Sequence, residues 1–468
     1  MPSATRFLQL LVTALVFACS ASSGPTKPNV VLVVLDTHRA DIFSSYGNSV
    51  PTTPHFDALA HQGVRFESAF TTDFWTLPAH ASLFTGQYPS RHGATSETNV
   101  LSSQAETLAE VLRGAGYRTA AFVSNPWVSA ERGFGQGFET FEETWKPRPG
   151  VRFEDEGGIQ LSREWLAARV ERGEPFLAFL NLNYAHMPYT PDPLALHRLH
   201  PGPRSVARRS HLRTIPSMWL YLAGAEPLAE PDFEILRELY EAEVAVTDGR
   251  LGELIANLRE LGILDETLVV VTSDHGENLG DHRRIDHMLS FYDTTIRVPL
   301  IFRYPPRIPA GQVNDELVSL IDVAATILDV CGLPADALSG SGHSLLDADR
   351  APRQFVVAEN DRPVNGIQLL KGAFPDFDTT PIDSRVRMLR TARYKLVWRT
   401  VGPSEFYDLE ADPGELHDLG AVPSEAQAAL ERKLEEWQRR NEGDPASTRF
   451  KSEDAASLER LRALGYLE

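Results

Sequence analysis

Asn29-Val30-Val31-Leu32-Val33-Val34-Leu35 is an unbroken apolar, largely β-branched run, and Asp36 closes it. A strand with one wet face alternates polar and apolar residues. A run with no polar interruption belongs to a strand covered on both faces, as in a parallel sheet sandwiched by helices. The pattern returns at Leu268-Val269-Val270-Val271-Thr272-Ser273, which delivers Asp274-His275-Gly276-Glu277. Around these two strands, helical and extended segments alternate: helices over 53–62, 107–114, 162–172, 232–261 and 321–330, and strands over 64–70, 119–124, 176–182 and 298–303. That alternation predicts an α/β fold built on a large, mostly parallel sheet with helices on both sides.

In such sheets functional groups gather at the carboxyl ends of the strands. Asp36, Asp274 and His275 sit there and are candidate metal ligands; for Asp36 the alternative is a cap on the turn 37–41. Asn125 and His186 each lie just past a strand. His186, in Asn183-Tyr184-Ala185-His186-Met187-Pro188-Tyr189, is either a hydrogen-bonded loop anchor or a catalytic group.

A third stretch, Phe74-Trp75-Thr76-Leu77-Pro78-Ala79-His80-Ala81-Ser82-Leu83-Phe84-Thr85-Gly86, places a hydroxyl ahead of a proline. Pro78 suits a first helical position, so the reading is a short helix over 79–84 whose free N–H groups face Thr76 and attract anions. Thr76 is then a helix cap or a nucleophile. With Asp36, Asp274 and His275 its oxygen completes a mixed oxygen and nitrogen donor set suited to one divalent ion, Zn²⁺, Mn²⁺, Ca²⁺ or Mg²⁺. His282 and His287, in Gly280-Asp281-His282-Arg283-Arg284-Ile285-Asp286-His287, could bind substrate oxygens or a second metal, or belong to a solvated loop. Asp248, on the helix 232–261, reads as structural, and 190–230, rich in Pro, Arg and His, as an excursion over the surface, a candidate substrate-side lid.

The 468 residues allow one large or two unequal domains, and 42% apolar with 23% charged content is that of a globular protein. A formal charge of -19 argues against a nucleic-acid partner, which would require a basic face. After Arg6, the apolar run 7–18 is too short to span a bilayer and fits a signal peptide. Val16-Phe17-Ala18-Cys19 resembles a bacterial lipoprotein box with Cys19 lipidated, the alternative being plain cleavage near Ala21. Either way the expectation is an exported protein, periplasmic or anchored to the outer membrane through Cys19, with 20–28 as a tether. Only Cys331 remains, so no intrachain disulfide framework is available, and it reads as a buried core thiol. The catalytic domain is expected over 29–350. From 351 to 468 the pattern changes to antiparallel strands (355–359, 387–393, 394–399, 405–409) and two closing helices (424–440, 453–464), a small α+β subdomain.

Taken together, Leu35-Asp36, Thr76-x-Pro78-x-His80 with Leu83-x-Thr85-Gly86, His186 before Pro188-Tyr189, Ser273-Asp274-His275-Gly276-Glu277, His287 ahead of Tyr292, and Glu405-Phe406-Tyr407-Asp408-Leu409 resemble the sulfatase branch of the alkaline phosphatase superfamily. The resemblance implies a metal-dependent ester hydrolase or transferase acting on a small-molecule, glycan or lipid-headgroup ester. By position it makes Asp36, Asp274 and His275 metal ligands, Thr76 the nucleophile, and His186 and His287 handlers of the leaving group or substrate oxygens; His80, Asn125 and His282 are candidate substrate contacts. The departures are specific. Sulfatases carry Cys or Ser where Thr76 stands, and oxidise it to an aldehyde. His80 replaces an Arg, Thr37 a metal-binding Asp, and Leu289 occupies the place of a substrate Lys. These favour a phosphate ester or diester over a sulfate ester, with a non-catalytic anion-binding relative as a further reading.

Overall fold

The computed structural model describes residues 27–441 apart from 153, 203–219, 226, 288 and 381, together with residue 459. The expected leader over 1–19, the tether 20–28 as far as residue 26, all of the closing helix 453–464 but residue 459, and the part of the excursion over 203–219 lie outside the described residues. The described part of that excursion contains a helix, Pro193–Leu199.

Among the described residues the large sheet has eight strands: β1 (Asn29–Leu35), β2 (Val64–Phe70), β3 (Arg118–Val123), β4 (Thr140–Glu143), β5 (Phe176–Leu182), β6 (Thr267–Thr272), β9 (Leu300–Arg303) and β10 (Gln312–Ser319), with the short pair β7 (Asn278–Leu279) and β8 (Ile285–Asp286) outside it. The order is β10-β2-β9-β6-β1-β5-β3-β4, and only β9 runs against its neighbours. β1 is central and pairs in parallel with β5 and β6. Its apolar run is divided between two cores: Val30, Leu32 and Val34 pack on one face, Val31, Val33 and Leu35 on the other. Each such buried side chain contributes about 1.5–3 kcal/mol relative to exposure, which is why the run tolerates no polar residue.

Several elements differ from the sequence reading. The helix expected over 79–84 spans Thr76–Thr85, so Thr76 lies inside its first turn and not ahead of it. The Ala79 N–H bonds to the Trp75 carbonyl at 3.2 Å, leaving only Thr76 and Leu77 with N–H groups that lack an intrahelical acceptor. The helix expected from 162 begins at Glu154. Strands β4 and β10 have no expected counterpart: β4 is half-buried throughout, and β10 begins with exposed residues, so neither has a continuous apolar run. Cys331 is half-buried rather than buried, packed against the edge of the core.

Asp248 carries the structural role expected of it. Its carboxylate accepts from the backbone N–H of His55 and Phe56 at 2.9 and 2.8 Å, tying the long helix Glu230–Glu260 to the start of Pro54–Ala60. Toward the C-terminus, β11 (Val356–Asn360), β12 (Val386–Arg390), β13 (Tyr394–Arg399) and β14 (Glu405–Asp408) form a four-stranded antiparallel sheet. One face packs into the main core through Val356, Ala358, Met388 and Val397; the other carries the helix Glu425–Asn441 through Leu430, Leu434 and Trp437. A helix at Val364–Ala373 was not foreseen.

Candidate active site

The parallel register brings distant residues to one edge. Leu35 aligns with Leu182, Val34 with Thr272, and Val123 with Asn181, so Asp36, Asn125, His186 and Asp274 all emerge from the carboxyl ends of adjacent strands. The helix Thr76–Thr85 lies over that edge with every residue buried.

There, Asp36, Asp274 and His275 offer ligand atoms that all lie within 4.8 Å of one another. All three are buried, as is Thr76. Burial raises the pKa of Asp36 well above its ordinary value, and the neighbouring Asp274 adds to the effect; burial raises Asp274 as well. Asp36 Oδ1 and Asp274 Oδ2 have no hydrogen-bond partner. Two buried carboxylates that disfavour each other's charge, each with an unpartnered oxygen and grouped with an imidazole, fit a divalent cation in a mixed oxygen and nitrogen site.

The tautomer of His275 agrees with that fit. Its Nδ1 lies 3.0 Å from the Gly276 carbonyl, which can only accept, so Nδ1 carries the proton and Nε2 presents a lone pair. Thr76 Oγ1 lies 3.2 Å from this Nε2. Gly276 is required by the turn: a Cβ there would stand 2.1 Å from the Thr294 carbonyl oxygen.

A layer of amides and hydroxyls holds the carboxylates. Asn125 and Asn181 each donate Nδ2–H to Asp36 Oδ2, at 2.9 and 3.0 Å. Asn181 Oδ1 accepts from the Ser124 and Asn125 N–H groups, and Asn125 Oδ1 accepts from the Trp127 N–H. The Thr37 N–H donates to Asp274 Oδ1 at 3.1 Å. His80 donates from Nδ1 to the Thr76 carbonyl at 2.9 Å, stands 3.5 Å from Asp274 Oδ2, and has Nε2 3.4 Å from Asn181 Nδ2. Two expected substrate contacts, His80 and Asn125, are thus fully buried with their polar ends turned to protein partners.

His186 and His287 stand beside the cluster: the His287 ring is 4.4 Å from that of His275 and 5.2 Å from that of His186. They titrate in opposite directions. Burial, reinforced by His287, lowers His186 to about 3. Burial also opposes charge on His287, but Asp286 at 2.8 Å and Glu277 at 3.5 Å outweigh it and raise its pKa well above the ordinary value. Glu277, Asp286 and His287 form a second set of ligand types within 4.8 Å. His282 is not brought to this edge. Its backbone adopts a left-handed φ of 52°, and its ring stacks on Tyr292 with centroids 3.5 Å apart.

Asn181, Glu277 and Asp286 escaped assignment from the sequence. Asn181 did leave a signal, as the one polar residue inside Phe176–Leu182.

A buried carboxylate and imidazole cluster thus stands at the carboxyl edge of a mixed α/β sheet, with a small antiparallel sheet beside it. A family model described as sulfatase matches residues 28–333, and one described as the C-terminal part of N-sulphoglucosamine sulphohydrolase matches 280–440. The chain is an ester-acting hydrolase and belongs to the sulfatase family. It is 26% identical to arylsulfatase K of Bos taurus over 448 residues, covering 88% of this chain and 81% of that protein. It is 24% identical to an N-acetylglucosamine-6-O-sulfatase of Bacteroides thetaiotaomicron over 530 residues, covering 94% and 92%. Among solved structures, the phosphonate monoester hydrolase of Agrobacterium radiobacter shares the fold with a TM-score of 0.68 at 24% identity, covering 88% of this chain and 96% of that one.

Proposed function

We propose that the chain is a metal-dependent ester hydrolase whose nucleophile is the Thr76 hydroxyl, acting on a phosphate ester or diester of a small molecule, glycan or lipid headgroup. The observation that carries this reading is the 3.2 Å contact of Thr76 Oγ1 with His275 Nε2 inside the Asp36–Asp274–His275 cluster. A cation held by those three residues would supply Lewis acidity, lowering the pKa of the Thr76 hydroxyl and offsetting charge on the reacting group. With the Thr76 proton released to bulk water, Oγ1 attacks phosphorus in line, and the bond to the leaving oxygen breaks as the His287 imidazolium gives that oxygen its proton. Water then attacks the threonyl ester, the neutral His287 takes the water proton, and the Oγ1–P bond breaks to return Thr76 as its alkoxide. Asn125, Asn181 and His80 act as positioning residues, holding Asp36 and the first turn of the helix.

Thr76 argues against the aldehyde route. Its Cβ already bears a methyl, so oxidation would end at a ketone. Sulfuryl transfer by the unmodified hydroxyl is the second reading, favoured by the relatives named as sulfatases. Nitrophenyl sulfate, phosphate monoester, phosphodiester and phosphonate, assayed with several divalent metals, separate the two. Thr76→Ala is expected to abolish turnover of the preferred ester while sparing metal content; undiminished turnover would remove Thr76 from the mechanism. The apolar leader and Cys19 support an exported enzyme meeting such esters outside the cytoplasm.

A further inference from the structure

His287 is delivered by a hairpin. β7 pairs with β8 so that Asn278 faces Asp286 and Leu279 faces Ile285, and one step beyond that register Glu277 stands opposite His287. The connection over 280–284 closes with the Gly280 N–H on the Arg284 carbonyl at 2.8 Å and the Arg283 N–H on the Gly280 carbonyl at 2.9 Å. Its backbone is strained. His282, Arg283, Asp286 and Leu289 have φ of 52, 55, 70 and 72°, the left-handed region that a Cβ disfavours. Such conformations persist where the surroundings over-determine them.

The strongest hold on this hairpin comes from the turn after β1. Arg39, three residues past Asp36 and 2% exposed, donates from Nη1 to Asp281 Oδ2 at 2.5 Å and to the Glu277 carbonyl at 3.2 Å, so it grips β7 at both ends. Asp281 Oδ2 in turn accepts from the Leu279 N–H at 3.1 Å. Burial disfavours charge on Asp281, but Arg39 outweighs it and holds the carboxyl below its ordinary pKa. Arg39 is itself fixed: Nε and Nη2 donate to Asp41 at 2.8 and 2.7 Å, and its backbone N–H donates to the Tyr240 hydroxyl of the long helix at 2.9 Å. The remaining ties reach the loop from its outer side. Arg283 and Glu230, 3.4 Å apart, are both exposed, Arg237 reaches Asp281 only at 3.4 Å, and the Tyr221 hydroxyl donates to the Arg283 carbonyl at 2.6 Å. Exposed ion pairs hold little, whereas a charge-assisted bond shielded from water holds firmly.

We propose that Arg39 is a positioning residue for proton transfer: through Asp281 and the Glu277 carbonyl it clamps the strained hairpin and so keeps His287 beside the Asp36–Asp274–His275 cluster. The inference rests on the reading of His287 as the proton donor. Arg39 leaves the same turn as Asp36, so one side chain sets the spacing between the candidate metal ligands and the group that protonates the leaving oxygen.

A displaced proton donor costs most where the leaving oxygen most needs its proton. Phenolate leaves poorly without one, and 4-nitrophenolate leaves unaided. The metal-loaded wild type, Asp281→Ala, Arg39→Met and His287→Asn are assayed on the phenyl and 4-nitrophenyl esters of the preferred acid, and amide hydrogen exchange over 278–287 is followed in the metal-free chains. In Asp281→Ala and Arg39→Met, kcat for the phenyl ester should fall about tenfold or more and for the nitrophenyl ester about threefold or less, with KM held within about twofold. The hairpin amides of both should exchange about tenfold or more faster than in the wild type. Asp281 is half-buried, so its truncation leaves a folded chain to measure even if Arg39→Met does not fold. Equal slowing of both esters in Asp281→Ala where His287→Asn discriminates between them, or unchanged exchange, overturns the proposal. Should His287→Asn itself slow both esters alike, the assignment of His287 as proton donor fails, and the exchange result still decides whether Arg39 clamps the hairpin.

Discussion

Thr76 Oγ1 and His275 Nε2, 199 positions apart in the chain, meet at 3.2 Å, with the His275 proton committed to the Gly276 carbonyl on the far side of the ring. The hydroxyl therefore faces a lone pair and two carboxylates. Neither residue occupies that position by local preference: the pairing of β1 with β6 brings one in, and the helix crossing the sheet edge brings the other.

Asn181 should matter to metal binding although it is not placed to touch the ion. Its Nδ2 fixes Asp36 Oδ2 and its Oδ1 fixes the turn carrying Asn125. Asn181→Ala is expected to lower divalent-ion affinity by about 10–100-fold, measured by calorimetry, with the fold retained by circular dichroism. Unchanged affinity would make Asp36 self-supporting.

The two neighbouring histidines should titrate apart. In the metal-free protein, NMR is expected to find the His287 ring doubly protonated at pH values where an ordinary imidazole is neutral, while the His186 ring stays neutral down to about pH 3. The sign for stability follows from linkage. A raised folded pKa means that the His287 contribution is fully present below about pH 6.5 and is lost as pH rises through the raised value. His287→Asn should therefore cost metal-free stability in acid and progressively less at alkaline pH. An equal cost across that range would contradict the pairing with Asp286 and Glu277.

Lys395 joins the C-terminal sheet to the segment from Phe291 to Asp293. Its buried Nζ donates to Asp293 at 2.6 Å, to the Phe291 carbonyl at 2.9 Å, and to Glu415. Removing one partner from a buried ionic cluster leaves the others uncompensated. Lys395→Met is expected to cost about 3–5 kcal/mol in urea unfolding. A cost near zero would mean that water replaces the amine.

What the sequence made legible was the part governed by burial on both faces. β1 and β6 are continuous apolar runs because helices cover both sides of the sheet, and each ends in a ligand type because the edge is where polar groups can emerge. The start of the helix at Thr76 is hidden by Pro78, which fits a first turn at more than one position, so the cap alternative for Thr76 gives way to a place in the first turn. His282 stands apart from the cluster for a related reason: a left-handed backbone at a non-glycine residue leaves no trace in composition. The buried roles of His80 and Asn125 depend on Asn181 from another strand, a contact that no spacing within either segment encodes.

The most direct measurement of the central claim is acid quenching of the metal-loaded enzyme during turnover of its preferred ester, followed by mass spectrometry of the peptide containing Thr76. The account predicts a phosphoryl or sulfuryl group on the Thr76 oxygen, no oxidation at that residue before reaction, and no adduct in Thr76→Ala, which should also be inactive. Turnover by Thr76→Ala, or an adduct on another side chain, would contradict it.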